Sequence, residues 1–141
     1  MSMFRYHGAS LTDTVFTLDD PPITWNVTRL ERAAEAGRFG PPITLLMGSY
    51  PGSDWESGNL LRERVDFIKQ RPDLLDRPVM LIENPPGSEF RFLCFVDGQH
   101  RATARWELGL PTISTYVIPH DLEGEFRVIL ERIDGMITQV F

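Results

Sequence analysis

The chain has one cysteine, Cys94, among 141 residues. A lone thiol makes no internal disulfide and has no second thiol with which to share a metal. A disulfide-stapled domain, a cysteine zinc site and dithiol redox chemistry are therefore all set aside. Lysine is equally scarce: Lys69 stands alone, the other basic residues are arginines, and acids outnumber bases to give a net charge of -6. A surface that grips duplex DNA by its phosphates needs the opposite excess, so DNA binding is less expected than pointed contacts from arginine to small anions. Long apolar runs are missing as well. Nothing is long enough to span a bilayer, and residues 1–7 lack the apolar stretch of a signal peptide, which makes the cytoplasm the expected compartment and a membrane partner unexpected. With no repeat, low-complexity tract or linker in view, residues 1–141 read as a single domain around one core.

What is present is the mixture of a globular protein, 42% hydrophobic and 24% charged, punctuated by glycine and proline into short elements. Residues 1–22 are weakly patterned, although 15–18 reads as a strand before the Asp19-Asp20-Pro21-Pro22 break, and 23–27 as another after it. Thr28 and Glu31 have the spacing of a capping box, which predicts a helix over 29–36 that Gly37 stops. Residues 43–47 follow Pro41-Pro42 as a strand. Leu60, Leu61, Val65, Phe67 and Ile68 recur at helical spacing within 57–70. Residues 79–82 and 90–96 are apolar runs of strand length, 99–108 is a helix closed by Gly109 and Pro111, and 112–118 is rich in β-branched side chains. Residues 90–118 are thus expected to form a β-α-β unit with its two strands parallel. A final amphipathic helix is expected over about 122–137, with Phe126, Ile129, Leu130, Ile133 and Ile137 on the face that packs on the sheet or on a partner.

The most informative stretch is Val96-Asp97-Gly98-Gln99-His100-Arg101-Ala102-Thr103-Ala104, where a strand becomes a helix. Gly98 can take a backbone conformation other residues resist, and the first amides of a helix have no internal partners, so such a turn attracts anions. Arg101 adds a planar fork suited to phosphate oxygens, and His100 a donor whose charge changes near neutral pH. Phosphate, and hence a nucleotide, is the ligand this combination suits. Gly98, Gln99, His100 and Arg101 would cradle it, with Thr103 and Arg105 extending the site along the helix. Asp97 is open between capping the helix, binding magnesium and accepting a proton from a hydroxyl. Plainer readings stand beside these: a tight turn at Gly98, an ion pair of Arg101 with Asp97 or Glu107, a packed or capping His100, a solvated Arg105. Trp106 is expected in the core, Tyr50 and Trp55 as loop anchors before base contacts, and Cys94 as a buried, inert thiol.

The segment Phe95-Val96-Asp97-Gly98-Gln99-His100-Arg101-Ala102-Thr103-Ala104-Arg105-Trp106-Glu107-Leu108-Gly109-Leu110-Pro111-Thr112-Ile113 resembles the signature of the ParB/sulfiredoxin superfamily. The order of elements over 59–119 agrees with that family, while the first fifty residues lie outside the resemblance. It implies an α+β fold, a compact mixed sheet flanked by helices, with ATP or another nucleotide and magnesium bound at the glycine motif. The family's branches use the motif differently. Partition ParB proteins bind CTP as a switch for sliding on DNA, and sulfiredoxins place a cysteine just before His-Arg. Free-serine kinases carry Asp-Gly-His-His-Arg, and some plasmid-borne relatives are ATPases or DNases. Here Gln99 stands at the sulfiredoxin cysteine's place and cannot be a sulfur nucleophile, so sulfinic-acid reduction is set aside. Residues 120–141 are too few for a helix-turn-helix and dimerisation segment, so a partition clamp is not expected either. Asp97-Gly98-x-His100-Arg101 agrees best with the kinase-like branch. The expected function is magnesium-dependent NTP hydrolysis or phosphoryl transfer, with Asp97, His100 and Arg101 catalytic. That branch has a further acid, for which Asp19, Asp20 and Glu83 are the candidates. The alternatives are a non-enzymatic plasmid or phage protein that uses the site as a switch toward a protein partner or a second copy of itself, and a DNase.

Overall fold

The computed structural model describes residues 4–10, 12–18, 22–47, 61–132 and 138–140. In chain order its elements are β1 (Phe4–His7), β2 (Val15–Leu18), β3 (Ile23–Asn26), α1 (Val27–Glu35), β4 (Ile43–Leu46), α2 (Arg62–Lys69), α3 (Pro72–Leu75), β5 (Val79–Glu83), β6 (Phe92–Asp97), α4 (Gln99–Glu107), β7 (Thr112–Ile118), a 3-10 turn (Glu123–Phe126), β8 (Ile129–Arg132) and β9 (Thr138–Val140). The class is α+β, centred on a four-stranded mixed sheet in the order β4-β7-β5-β6. Strands β2 and β3 form a hairpin, and β1, β8 and β9 a separate antiparallel sheet. Among the described residues no helix is long and apolar enough to cross a membrane.

Strand β5 explains the layering. Val79, Met80, Leu81 and Ile82 are all buried, as befits a strand covered on both faces. Alternation sends Met80 and Ile82 to one side, where Leu30, Ala33 and Ala34 of α1 pack with Trp25 and Ile118. Val79 goes to the other side, against Ala102 of α4, Ile113 and Met47. Outside α4, Val65 and Ile68 of α2 and Leu75 of α3 close on Ala104. Helix α1 therefore covers one face of the sheet and α4 the other.

Four expectations change. The strand, helix and strand of 90–118 are present, but β6 and β7 are not parallel. Strand β5 lies between them, antiparallel to β6 and parallel to β7, so the parallel crossover runs from β5 to β7 through β6 and α4. The helix expected over 122–137 is absent from its described part. Phe126 and Val128 are both buried with Arg127 between them, the Val128 amide donates to Thr24 O, and β8 follows, paired with β1 and β9. Residues 133–137 of that expectation lie outside the described residues. The capping box does not form: Asn26 caps α1 by accepting from the Arg29 amide, and the Thr28 hydroxyl accepts instead from the Thr14 amide. Finally, Trp106 is half exposed, because the buried stripe of α4 is built from the small side chains of Ala102, Thr103 and Ala104.

Candidate functional site

Asp97 reaches its position through an irregularity in β6. Leu81 pairs with Phe95, but the next residue of β5, Met80, pairs with Asp97, so Val96 is one residue too many for the ladder. An extra residue of this kind re-aims the side chains beside it. Residues paired across strands share a face. Met80 faces α1, and Asp97 with it; Val96 packs on the same side. Without the extra residue, Asp97 would fall in step with Val79 and face α4.

Gly98 then turns the chain. Its φ of +97° is in the left-handed region, and a Cβ there would lie 2.3 Å from Val79 Cγ1 and 2.7 Å from Val79 Cβ, so both conformation and space require glycine. The first helical bond of α4 runs from the Ala102 amide to Gly98 O at 2.8 Å, which leaves the amides of Gln99, His100 and Arg101 ahead of it, with no side chain capping them. Arg101 bends back from this first turn. Its Nη2 donates to Asp97 Oδ2 at 3.0 Å and to Pro78 O at 3.1 Å, while its buried Nε has no partner among the described residues. The ion pair with Asp97 is thus formed.

Opposite Asp97 stands Glu31 of α1, a residue read from sequence only as part of a cap. Burial, followed by the charge of Asp97 and a hydrogen bond with it, raises the Glu31 pKa above the ordinary carboxyl value, against the pull of Arg77 and Arg101. The two carboxyls share a small open cleft of about 130 Å³, lined also by Glu35, Arg77, Met80, Arg101 and Tyr116. Such a pair, one group biased toward keeping its proton beside another, can move a proton or hold a cation.

The remaining candidates are distributed elsewhere. His100 is tied to the start of α2, its Nε2 accepting from the Leu61 amide at 3.1 Å. Thr103 is buried and its hydroxyl donates to Gln99 O. Arg105 donates to the carbonyls of Thr112 and Leu75 and pairs with Asp76, so its donors tie α4 to its neighbours. Gln99 is half-buried at the head of the helix. Glu83 sits at the far end of β5, paired with Phe92 and 3.7 Å from His120. Asp19, Asp20, Tyr50 and Trp55 lie outside the described residues. Cys94 is partly buried, and burial with the charge of Glu123 pushes its thiol up to about 12. Among the described residues no cluster of three or more His, Cys, Asp or Glu is placed to hold a metal. Set against protein-family models, curated proteins and solved structures, the chain matches none of them.

Proposed function

We propose that this is a ParB/sulfiredoxin-like protein whose cleft handles the phosphates of a nucleotide, with magnesium-dependent NTP hydrolysis or phosphoryl transfer as its chemistry and the cytoplasm as its compartment. One observation carries the reading: the extra residue in β6 sets Asp97 against Glu31 in a cleft that Arg101, whose Nε has no partner among the described residues, also lines. A buried donor without a partner costs about 1–3 kcal/mol, and a phosphate oxygen would relieve it. The cleft's 130 Å³ suits a phosphate-sized group, whereas a pocket for a whole ligand needs roughly 300 Å³ or more. The base and sugar would therefore rest outside it.

In this reading the amides of Gln99, His100 and Arg101, with the Arg101 guanidinium, hold phosphate oxygens. Glu31, its affinity for protons raised, takes the proton from an attacking water or hydroxyl, and Asp97 orients that group. Two carboxyls lining one cleft also suit magnesium, and Asp97 and Glu31 are the residues that would hold it. When bound, the ion neutralises charge on the phosphates. The Arg101–Asp97 pair supports a second reading, a nucleotide switch without turnover, since that contact must loosen before the guanidinium is given over to phosphate.

Calorimetric titration with ATP and CTP in the presence of magnesium tests the site. Wild type should bind one of them and Arg101→Ala should lose most of the affinity; absence of binding in both sinks the proposal. Turnover that disappears in Glu31→Gln while binding persists separates the enzyme from the switch.

A further inference from the structure

Helix α2 starts without a cap of its own. Its N-cap residue is Leu61, which has no side-chain acceptor, and three residues on, where a glutamate or glutamine reaches back to the N-cap amide in a capping box, stands Arg64, which only donates. The amide is satisfied from another helix. Leu61 N–H donates to His100 Nε2 at 3.1 Å, across 39 positions of the chain. A ring nitrogen that accepts carries no proton, so His100 is neutral in this contact, with its hydrogen on Nδ1.

We propose that His100 is a proton-sensitive cap on α2: neutral, it holds the start of that helix to α4, and protonated at Nε2 it meets the Leu61 amide donor to donor and releases it. Burial, and then the charge of Arg64, hold the imidazole below the usual histidine range, so the release lies on the acid side of neutrality. Among the described residues, most of the other charges on the elements packed here are engaged elsewhere. On α2, Arg62 and Lys69 pair with Glu107, and Asp66 with Arg62; Glu63 completes the first turn. On α3 and beyond it, Asp73 pairs with Arg71 and Asp76 with Arg105. On α4, Arg101 is held by Asp97, and on β5, Glu83 faces His120. Release stays local, because Val65 and Ile68 anchor the rest of α2 on Ala104.

Nitrogen-15 NMR of the histidine rings and amide exchange test this together. The expected results are an Nδ1–H tautomer for His100 at neutral pH, and a Leu61 protection factor, normalised to its intrinsic exchange rate, that falls by about tenfold as His100 titrates, the scale of one net hydrogen bond. His100→Gln keeps an acceptor oxygen without a titration and should hold the protection level across that pH range. His100→Leu should show low protection at every pH, with the amides of Val65 and Ile68 unchanged. An Nε2–H tautomer, Leu61 protection in His100→Leu equal to wild type, or protection in wild type that ignores the His100 titration would overturn the proposal.

Discussion

Gly98→Ala should be among the most damaging single-methyl changes in this protein, and its cost separates into two parts. The first is conformational: at φ +97° an L-residue is strained, by about 1–2 kcal/mol for a left-handed conformation. The second is steric. The new Cβ would lie 2.3 Å from Val79 Cγ1, which a rotamer change can move, but also 2.7 Å from Val79 Cβ, which is fixed to the backbone of β5. Val79 is fully buried between Ala102 and Ile113, so the turn itself must shift. Overpacking of this kind costs about 1–3 kcal/mol, for a total of roughly 2–5 kcal/mol, or a fall in Tm on the order of 10–20 °C for a chain of this size. Thermal and urea unfolding measure it. Combining Gly98→Ala with Val79→Gly, which removes the Cβ as well as the Cγ methyls, should return the steric part and leave the conformational part, a coupling of about 1–3 kcal/mol between the sites. A loss under about 1 kcal/mol, within the ordinary range for surface changes, or additive behaviour in the double variant, would refute the close approach of this turn to β5.

Two further outcomes follow from the carboxyl pair and the thiol. Glu31 has a folded pKa raised above its ordinary value of 4.5, so its ionisation opposes folding, and stability is lost as pH rises from 4.5 through the folded value. Glu31→Gln should therefore raise the urea midpoint at pH 7, with the gain vanishing below pH 4.5; a lower midpoint at pH 7 would show that the charge is not strained there. Cys94, pushed up to about 12, leaves roughly one thiol in ten thousand ionised at pH 8. A disulfide reagent should hardly touch it in the native protein and modify it promptly in urea, and prompt native modification would contradict the burial.

Much of the fold was legible because punctuation and periodicity agree. Strand β7 spans the residues its β-branched run marks, and α4 ends where Gly109 and Pro111 require. The C-terminal segment was not legible, since Phe126, Ile129 and Leu130 fit a helical period while Phe126 and Val128 fit a strand period equally well. The choice was made by β1, a partner from the opposite end of the chain, and no local pattern contains it. Strand order is hidden for the same reason. Nothing within 90–118 announces that β5 will occupy the place between β6 and β7.

The site divides along the same line. Asp97, Gly98 and Arg101 were found together because one turn carries all three, and their contacts are no more than four residues long. Glu31 was missed because Thr28 and Glu31 offer a complete local explanation, a capping box. That explanation fails only through distant partners: Asn26 takes the cap, and the Thr28 hydroxyl is claimed by the Thr14 amide. Glu83, the candidate nearest the motif among the described elements, loses its place to register. Asp97 pairs with Met80, three residues back along β5, or about 10 Å away at strand rise. Asp97 itself meets Glu31 only because β6 carries an extra residue, Val96, between the partners of Leu81 and Met80, and a shift of one residue moves a strand side chain from one face of a sheet to the other. A carboxyl pair of this kind belongs to the register of two strands and the start of one helix, so what the motif encodes is half of it, and the fold supplies the other half.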